Sequence, residues 1–197
     1  MTTAVLLVLL GVLSRVLPHP FNFSPFGALG LYSGARYPGV TGMGVPIAAL
    51  VVSDLFLGWG GGHLAVHLSV YATFALIALA GRLARERRRP AFLALLSVAS
   101  SFFFFLTTNF ALWAGETFYP HTAAGLAACY SAGLPLLANT LVADLLGTGA
   151  LFGLDALFRR RGRLAIGGTI AVALLVAGGD LFAQQPPSVA ESVVVTA

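Results

Sequence analysis

Charged residues are scarce in this sequence. Only 9% of its 197 residues are Asp, Glu, Lys or Arg, whereas a soluble domain carries about 25%. Hydrophobic residues make up 58% of the chain, and the mean hydropathy is +0.90. This composition excludes an ordinary soluble domain and predicts an all-α integral membrane protein, so the lipid bilayer is its first expected partner.

Lysine is absent, and the eleven positive residues are all arginines. Most of them lie in two short clusters between apolar runs, GRLARERRR (81–89) and RRRGR (159–163). Such clusters are typical of cytoplasmic membrane loops rather than of a nucleic-acid site. They predict a cytoplasmic N-terminus and place Arg36 on the cytoplasmic side as well. Arg15 lies near the outer end of the first apolar run, where we expect it to snorkel or to pair with a carboxylate.

Cysteine is nearly absent too, since Cys129 is the only one. A single cysteine excludes an intrachain disulfide and a cysteine-based zinc site, and in an apolar helix it is usually a small core residue. The sequence also lacks the HExxH, GxSxG and phosphate-loop motifs. We therefore assign no catalytic residue.

Long apolar runs dominate what remains. Because a span needs about 20 mostly apolar residues, or fewer where it is irregular, we predict a six-span membrane domain over 1–158. Its second and third spans are short and rich in Gly and Pro, which favours a packed hairpin. Residues 122–134 are predicted to form a half-helix or an interfacial piece, separated from the last span by Pro135. The six spans lie near 3–17, 24–37, 40–58, 65–84, 91–114 and 136–158.

Polar and aromatic residues concentrate in the three connections that this topology places outside, 18–24, 58–67 and 115–121. The inner connections hold little besides arginine. This asymmetry predicts an outward-facing pocket in which aromatic rings stack on a flat ligand and amides orient it. The candidate substrate-binding residues are Asn22, Trp59, His63, His67, Asn109, Trp113, Tyr119, His121 and Asn139.

Structural alternatives stand beside these assignments. Trp and Tyr are common at a membrane interface, and Asn109 is equally suited to a contact between helices. Asp54 has a structural alternative as the partner of Arg15. His63 and His67 share a helix face if the fourth span begins early, but a metal site would need a third ligand from elsewhere.

Three stretches carry a family resemblance: RVLPHPFNFSPFGALGLYSGARY (15–37), VSDLFLG (52–58) and residues 105–146, which begin FLTTNFALWAGETFYPH. Together they resemble a family of uncharacterised bacterial six-span membrane proteins related to the S components of energy-coupling-factor (ECF) vitamin transporters. The resemblance implies a six-helix S-component-like bundle with both termini inside and a vitamin pocket in its outer half. The first span, TTAVLLVLLGVLSR, lacks the Ala-xxx-Ala motif with which many S components dock on the shared energising module. That module is therefore a doubtful partner.

The tail, 159–197, differs from the rest of the chain. It has a basic start, an apolar run at 164–182 and the sequence LFAQ, suited to cleavage after Ala183, which is the layout of a secretory signal peptide. The following PPSVAESVVVTA resembles the mature N-terminus of a TonB-dependent outer-membrane receptor. The alternative is a seventh apolar helix with a disordered end. A neighbouring receptor gene would favour cobalamin as the nutrient, with His63, His67, His121 and Cys129 as candidate cobalt ligands.

These observations predict a protein of the bacterial inner membrane that binds a vitamin-like nutrient, with cobalamin as the leading candidate, on its periplasmic face and takes it up. Two alternatives remain. One is a membrane enzyme that acts on a lipid or cofactor with His and Asp as acid and base. The other is a structural membrane subunit that binds no ligand.

Overall fold

The computed structural model describes residues 2–58 and 64–161, and this part of the chain contains helices but no strand. The described chain is therefore all-α, as the sequence predicts. The predicted seventh run at 164–182 and the tail after residue 161 lie outside the described residues. The helices are α1 (Thr2–Val16), α2 (Phe26–Arg36), α3 (Gly39–Leu57), α4 (Leu64–Ala80), α5 (Leu83–Glu86), α6 (Pro90–Gly115) and α7 (Ala123–Arg161).

Among the described residues, four helical segments are long and apolar enough to cross a membrane: Gly39–Leu57, Leu64–Glu86, Pro90–Gly115 and Ala123–Arg159. The apolar helix α1 is shorter. Each of the six predicted runs coincides with one of the helices, and α5 adds a single turn after α4. Large side chains such as Leu55 and Leu95 are 72% and 62% exposed on the outer surface of the bundle. This distribution identifies a membrane protein whose outer surface contacts lipid.

The prediction of a span over 24–37 is corrected by α2. This helix has 11 residues, or about 16 Å at 1.5 Å per residue, which is too short to cross a bilayer of about 30 Å. Every residue from Phe26 to Ala35 is buried. The run is apolar because it lies inside the protein, surrounded by the longer helices, rather than because it faces lipid.

The predicted half-helix at 122–134 is a second correction. Helix α7 is continuous from Ala123 to Arg161, with Pro135 inside it. Proline removes one backbone hydrogen bond, but neighbouring helices and side chains compensate for such breaks within membrane bundles. The 39 residues of α7 extend about 58 Å at 1.5 Å per residue, so one helix provides both the predicted half-helix and the sixth span.

Small residues allow α2 to touch its neighbours through the backbone. A Cβ placed on Gly34 would overlap the backbone carbonyl of Ala78 in α4. On the other side, the Ser33 hydroxyl donates a hydrogen bond of 2.8 Å to the carbonyl oxygen of Gly42 in α3. These contacts confirm the predicted packed hairpin of α2 and α3 and also attach α2 closely to α4.

The first arginine cluster and Arg159, which begins the second cluster, lie at the same end of the bundle, called here the arginine end. Arg88 Nη1 lies 2.5 Å from a carboxylate oxygen of Asp155, and Arg159 Nε lies 2.7 Å from the same oxygen. Arg85 Nε donates to the carbonyl of Ala35, near the end of α2, at 3.2 Å. The opposite end, called the loop end, contains the connections at 18–24 and 115–121.

Orientation in the membrane is the first testable expectation. In a Cys129→Ser background, an impermeant thiol reagent applied to right-side-out spheroplasts should label Phe118→Cys but not Arg87→Cys. Positive residues are retained on the cytoplasmic side, and both positions are exposed at their respective ends. Permeabilised cells provide the control, because there Arg87→Cys should label as well. Labelling of Arg87→Cys in intact spheroplasts would show that the protein has the opposite orientation.

Candidate functional site

Helix α2 begins inside the bundle, and its first turn meets a carboxylate from another helix. Asp144 lies near the middle of α7, is only 1% exposed, and accepts a hydrogen bond of 3.1 Å from the backbone N–H of Ala28. The start of α2 has no capping side chain of its own. Asp144 therefore serves as a cap from a distant part of the chain, next to the positive end of the α2 dipole.

The same carboxylate joins α6 to this junction. Ser101, near the middle of α6, donates a hydrogen bond of 2.8 Å to Asp144. Gly27 makes the approach possible, because a Cβ at this position would overlap the Asp144 carboxylate. One turn further along, Thr148 donates to Ser97 at 3.2 Å. A line of buried polar groups thus crosses the α6–α7 interface at the depth where α2 begins.

The irregular segment that precedes α2 is also bound to α7. Asn139 donates a hydrogen bond of 2.9 Å to the carbonyl oxygen of Phe21, and the Thr140 hydroxyl donates to that of Asn22 at 3.3 Å. Asn22 has a φ of 56°, a left-handed conformation that asparagine tolerates better than most residues. The chain between α1 and α2 therefore turns back into the protein and is held there by side chains of α7.

A cavity of about 210 Å³ adjoins this junction and is called here the α2 cavity. Hydroxyl, amide and guanidinium groups share its wall with aliphatic and aromatic side chains. Four of its polar residues come from α1, the segment before α2, and α7. The cavity is lined by Arg15, Asn22, Ser24, Phe26, Gly27, Leu50, Val70, Phe74, Phe104 and Thr140.

Arg15 is held in the wall of the α2 cavity by α3. Its Nη1 lies 2.6 Å from Asp54 Oδ1 and 2.5 Å from Ser53 Oγ, while the guanidinium carbon lies 5.8 Å from the centre of the Phe26 ring. Tyr71 of α4 donates to the other Asp54 oxygen at 2.6 Å. The predicted pairing of Arg15 with a carboxylate is confirmed, and it balances the arginine charge at the cavity.

The predicted binding residues divide between two places. Asn22 lines the α2 cavity, and Asn139 supports the segment that carries it. Asn109 lies elsewhere, on the contact between α6 and α7. Its amide donates to Phe105 of its own helix at 2.8 Å, and its backbone carbonyl accepts a hydrogen bond from the buried Cys129 thiol at 3.4 Å. These contacts favour the helix-contact interpretation of Asn109.

The aromatic residues in and beside the connection at 115–121 form a group of their own. Trp113 Nε1 donates to the carbonyl oxygen of Pro120 at 3.0 Å, and its ring meets that of His121 edge to face at 5.5 Å. Burial raises the pKa of the Tyr119 hydroxyl, and the nearby Cys129 raises it further. The hydrogen bond and the ring contact of Trp113 stabilise the turn that joins α6 to α7. The three candidate residues Trp113, Tyr119 and His121 do not line the α2 cavity.

The structure describes only some of the candidate histidine and tryptophan residues. Trp59 and His63 lie outside the described residues, while His67 is half-buried in the first turns of α4 and His121 is exposed. Within 2–58 and 64–161, no group of three or more His, Cys, Asp or Glu residues is arranged to hold a metal. Cys129, a candidate cobalt ligand, is 1% exposed.

Several residues at the junction were not predicted as site residues from the sequence. Gly27, Ser24 and Thr140 are ordinary in apolar surroundings and carry no distinguishing sequence signal. Arg15 and Asp144 did carry a sequence signal, because charged residues within apolar runs mark functional or paired sites. Their common location beside the start of α2 depends on contacts between distant parts of the chain.

The chain belongs to a family of unknown function, DUF6580, which matches residues 1–165. The match covers all of the described residues. No curated protein and no solved structure matches the chain.

Proposed function

We propose that this member of the DUF6580 family is a membrane transport protein that binds a small nutrient in the α2 cavity. The observation that carries the proposal is the buried start of α2 beside a polar-walled cavity. Membrane proteins tolerate irregular backbone within the bilayer only where protein or a water-filled cavity surrounds it. Transporters commonly place substrates beside interrupted helices of this kind, at the positive ends of their half-helices.

The lining of the α2 cavity indicates what it would bind. Asn22 and Ser24 provide polar groups on one part of the wall, while Phe74 and Phe104 provide aromatic surface. A ligand with a flat apolar part and a few hydrogen-bonding groups fits this combination. Because Asp54 pairs with Arg15, the cavity is better suited to a neutral or zwitterionic molecule than to a strong anion.

The volume of the α2 cavity favours a small nutrient. Its 210 Å³ correspond to about seven water molecules at about 30 Å³ each and fall below the 300–1,000 Å³ or so of pockets for drug-sized ligands. A corrinoid would require the helices to separate. Cobalamin therefore becomes the less favoured substrate within this proposal, and a small vitamin-like molecule the more favoured one.

The resemblance to S components leads to the same class of function. It implies a binding site in the outer half of the bundle, and the α2 cavity adjoins the connection at 18–24 of the loop end. The rival membrane enzyme would need an acid–base pair at a cavity. The two carboxyl groups near the α2 cavity already have hydrogen-bond partners within the protein. Asp54 binds Arg15 and Tyr71, and Asp144 accepts from the Ala28 N–H and the Ser101 hydroxyl.

The test is to identify the small molecules that co-purify with the protein by mass spectrometry and to measure their amount per protein in variants. Val70→Phe should reduce the bound ligand at least tenfold, because the larger ring fills part of the α2 cavity. Asn22→Gly should reduce it about fivefold through the loss of one hydrogen bond worth about 1 kcal/mol. Glycine tolerates the positive φ of Asn22, so the backbone should be preserved.

Val142→Phe is the matched control, since Val142 is 50% exposed on the outer surface of α7 and does not line the cavity. It should retain the full amount of ligand. Equal amounts in Val70→Phe and Val142→Phe would remove the α2 cavity from the proposal. Titration with cobalamin completes the comparison: micromolar binding that Val70→Phe abolishes would restore cobalamin as the substrate.

A further inference from the structure

A second cavity lies between α6 and α7 toward the arginine end and is called here the α6–α7 groove. Its volume is about 470 Å³. Apolar and small side chains line most of it, and two arginines lie at the end nearest the loop that precedes α6. The lining residues are Arg88, Pro90, Leu93, Ala94, Leu145, Thr148, Gly149, Phe152, Gly153, Ala156 and Arg159.

A third cavity, of about 690 Å³, shares Arg88 with this groove. It is lined by three consecutive arginines, Arg87–Arg89, together with Glu86 and the apolar residues Ala91, Phe92 and Leu95. The two cavities thus form one surface with an apolar part along α6 and α7 and a strongly basic part at the arginine end.

The charges of this surface do not cancel. Asp155 accepts hydrogen bonds from Arg88 and from Arg159, so a single carboxylate holds two guanidinium groups at the mouth of the groove. Glu86 is the other nearby carboxylate. Four arginines (Arg87, Arg88, Arg89 and Arg159) against these two carboxylates leave a net charge of +2 beside an apolar groove.

The apolar part of the groove contains unfilled space on its α7 side. A Cβ placed on Gly149 or on Gly153 would meet no atom within 4 Å, whereas one placed on Gly147 would meet Pro25 at 2.6 Å. On the same two helices, Leu95 and Leu146 are 62% and 63% exposed, and in a bilayer such residues contact acyl chains. The groove therefore has room for a lipid acyl chain at the same depth in the bilayer.

We propose that the α6–α7 groove and the adjoining arginines bind an anionic phospholipid. One acyl chain lies along Gly149 and Gly153, and the anionic phosphate contacts Arg87, Arg88 and Arg159. Basic pockets between spanning helices are suited to such headgroups, and guanidinium groups bind phosphate in a bidentate manner. The proposal is independent of the transported ligand, because the α2 cavity shares no lining residue with the groove.

The experiment uses the full-length protein, purified in detergent and delipidated. Native mass spectrometry measures the binding of phosphatidylglycerol and of phosphatidylcholine with identical chains. Phosphatidylglycerol should bind at least tenfold more tightly. Arg87→Gln should weaken it about fivefold, the effect expected for one arginine near a membrane surface, and should weaken phosphatidylcholine less, because the choline cation offsets the charge of its phosphate. Gly149→Leu should weaken both lipids at least tenfold, since its side chain occupies the groove.

Two control variants separate a site from general attraction. Arg82→Gln removes the same charge from the same loop but lies outside both cavities, and Ala138→Leu adds similar bulk on an exposed position of α7. Both should bind phosphatidylglycerol like the parent protein. Equal affinity for the two lipids, equal weakening by Arg82→Gln and Arg87→Gln, or unchanged binding in folded Gly149→Leu would overturn the proposal. So would a stable dimer that Gly149→Leu dissociates without lipid, because a second copy would then fill the groove.

Discussion

Replacing Asp144 with alanine is expected to destabilise the protein by about 3 kcal/mol, the upper part of the range for losing a buried hydrogen-bonded group. The Ala28 N–H loses its acceptor at 3.1 Å, and the Ser101 hydroxyl loses its own at 2.8 Å. The start of α2 also loses the carboxyl group that lies at the positive end of its dipole. Thermal unfolding of the purified protein in detergent, followed by circular dichroism, measures the loss.

Asp144→Asn is the matched variant. It keeps an oxygen acceptor of the same size for the Ala28 N–H but replaces the carboxyl group with an amide that cannot ionise. Its destabilisation should therefore be smaller, at most about 1 kcal/mol, the size of a helix-dipole effect. Equal stability of Asp144→Ala and the parent protein would show that α2 does not depend on this cap. Asp155→Ala provides a comparison at the arginine end, because Asp155 contacts α2 through Tyr32, at 3.3 Å, rather than through the first turn of the helix.

Gly34→Ala is expected to have an effect of similar size, about 3 kcal/mol, the upper part of the usual range for overpacking. The added methyl group would overlap the backbone carbonyl of Ala78. Backbone cannot move aside as a flexible side chain can, so α2 and α4 would have to separate along their length. The unfolding midpoint of the variant, measured as for Asp144→Ala, should fall accordingly.

Gly44→Ala is the control for this substitution. Gly44 lies in α3, and a Cβ placed there meets nothing within 4 Å. Because alanine is the better helix former by up to about 1 kcal/mol, the control should be as stable as the parent or slightly more so. If Gly34→Ala and Gly44→Ala unfold at the same temperature, the close backbone contact between α2 and α4 contributes little to stability.

The amino-acid sequence by itself determined the class of the protein and the positions of its helices. Hydropathy is a local property, so a run such as 91–114 identifies α6 without any knowledge of its neighbours. The pattern of charges is equally local, and it predicted that the two arginine clusters lie on one side of the membrane. In the structure, Asp155 joins Arg88 of the first cluster to Arg159 of the second. The pairing of Arg15 with a carboxylate was one of the two alternatives that the sequence left open, because an arginine in an apolar run needs a compensating partner or a route to the interface.

Tertiary structure alone decided which apolar residues face protein and which face lipid. In a membrane protein both surroundings are apolar, so the composition of α2 is the same whether it spans the bilayer or is buried within the bundle. Pro135 illustrates the same limit: its effect on α7 depends on helices that compensate for the lost hydrogen bond. The contact of Asp144 with the start of α2 is a further example. Asp144 lies 116 positions after Ala28, and a contact over that sequence distance leaves no local pattern in the chain.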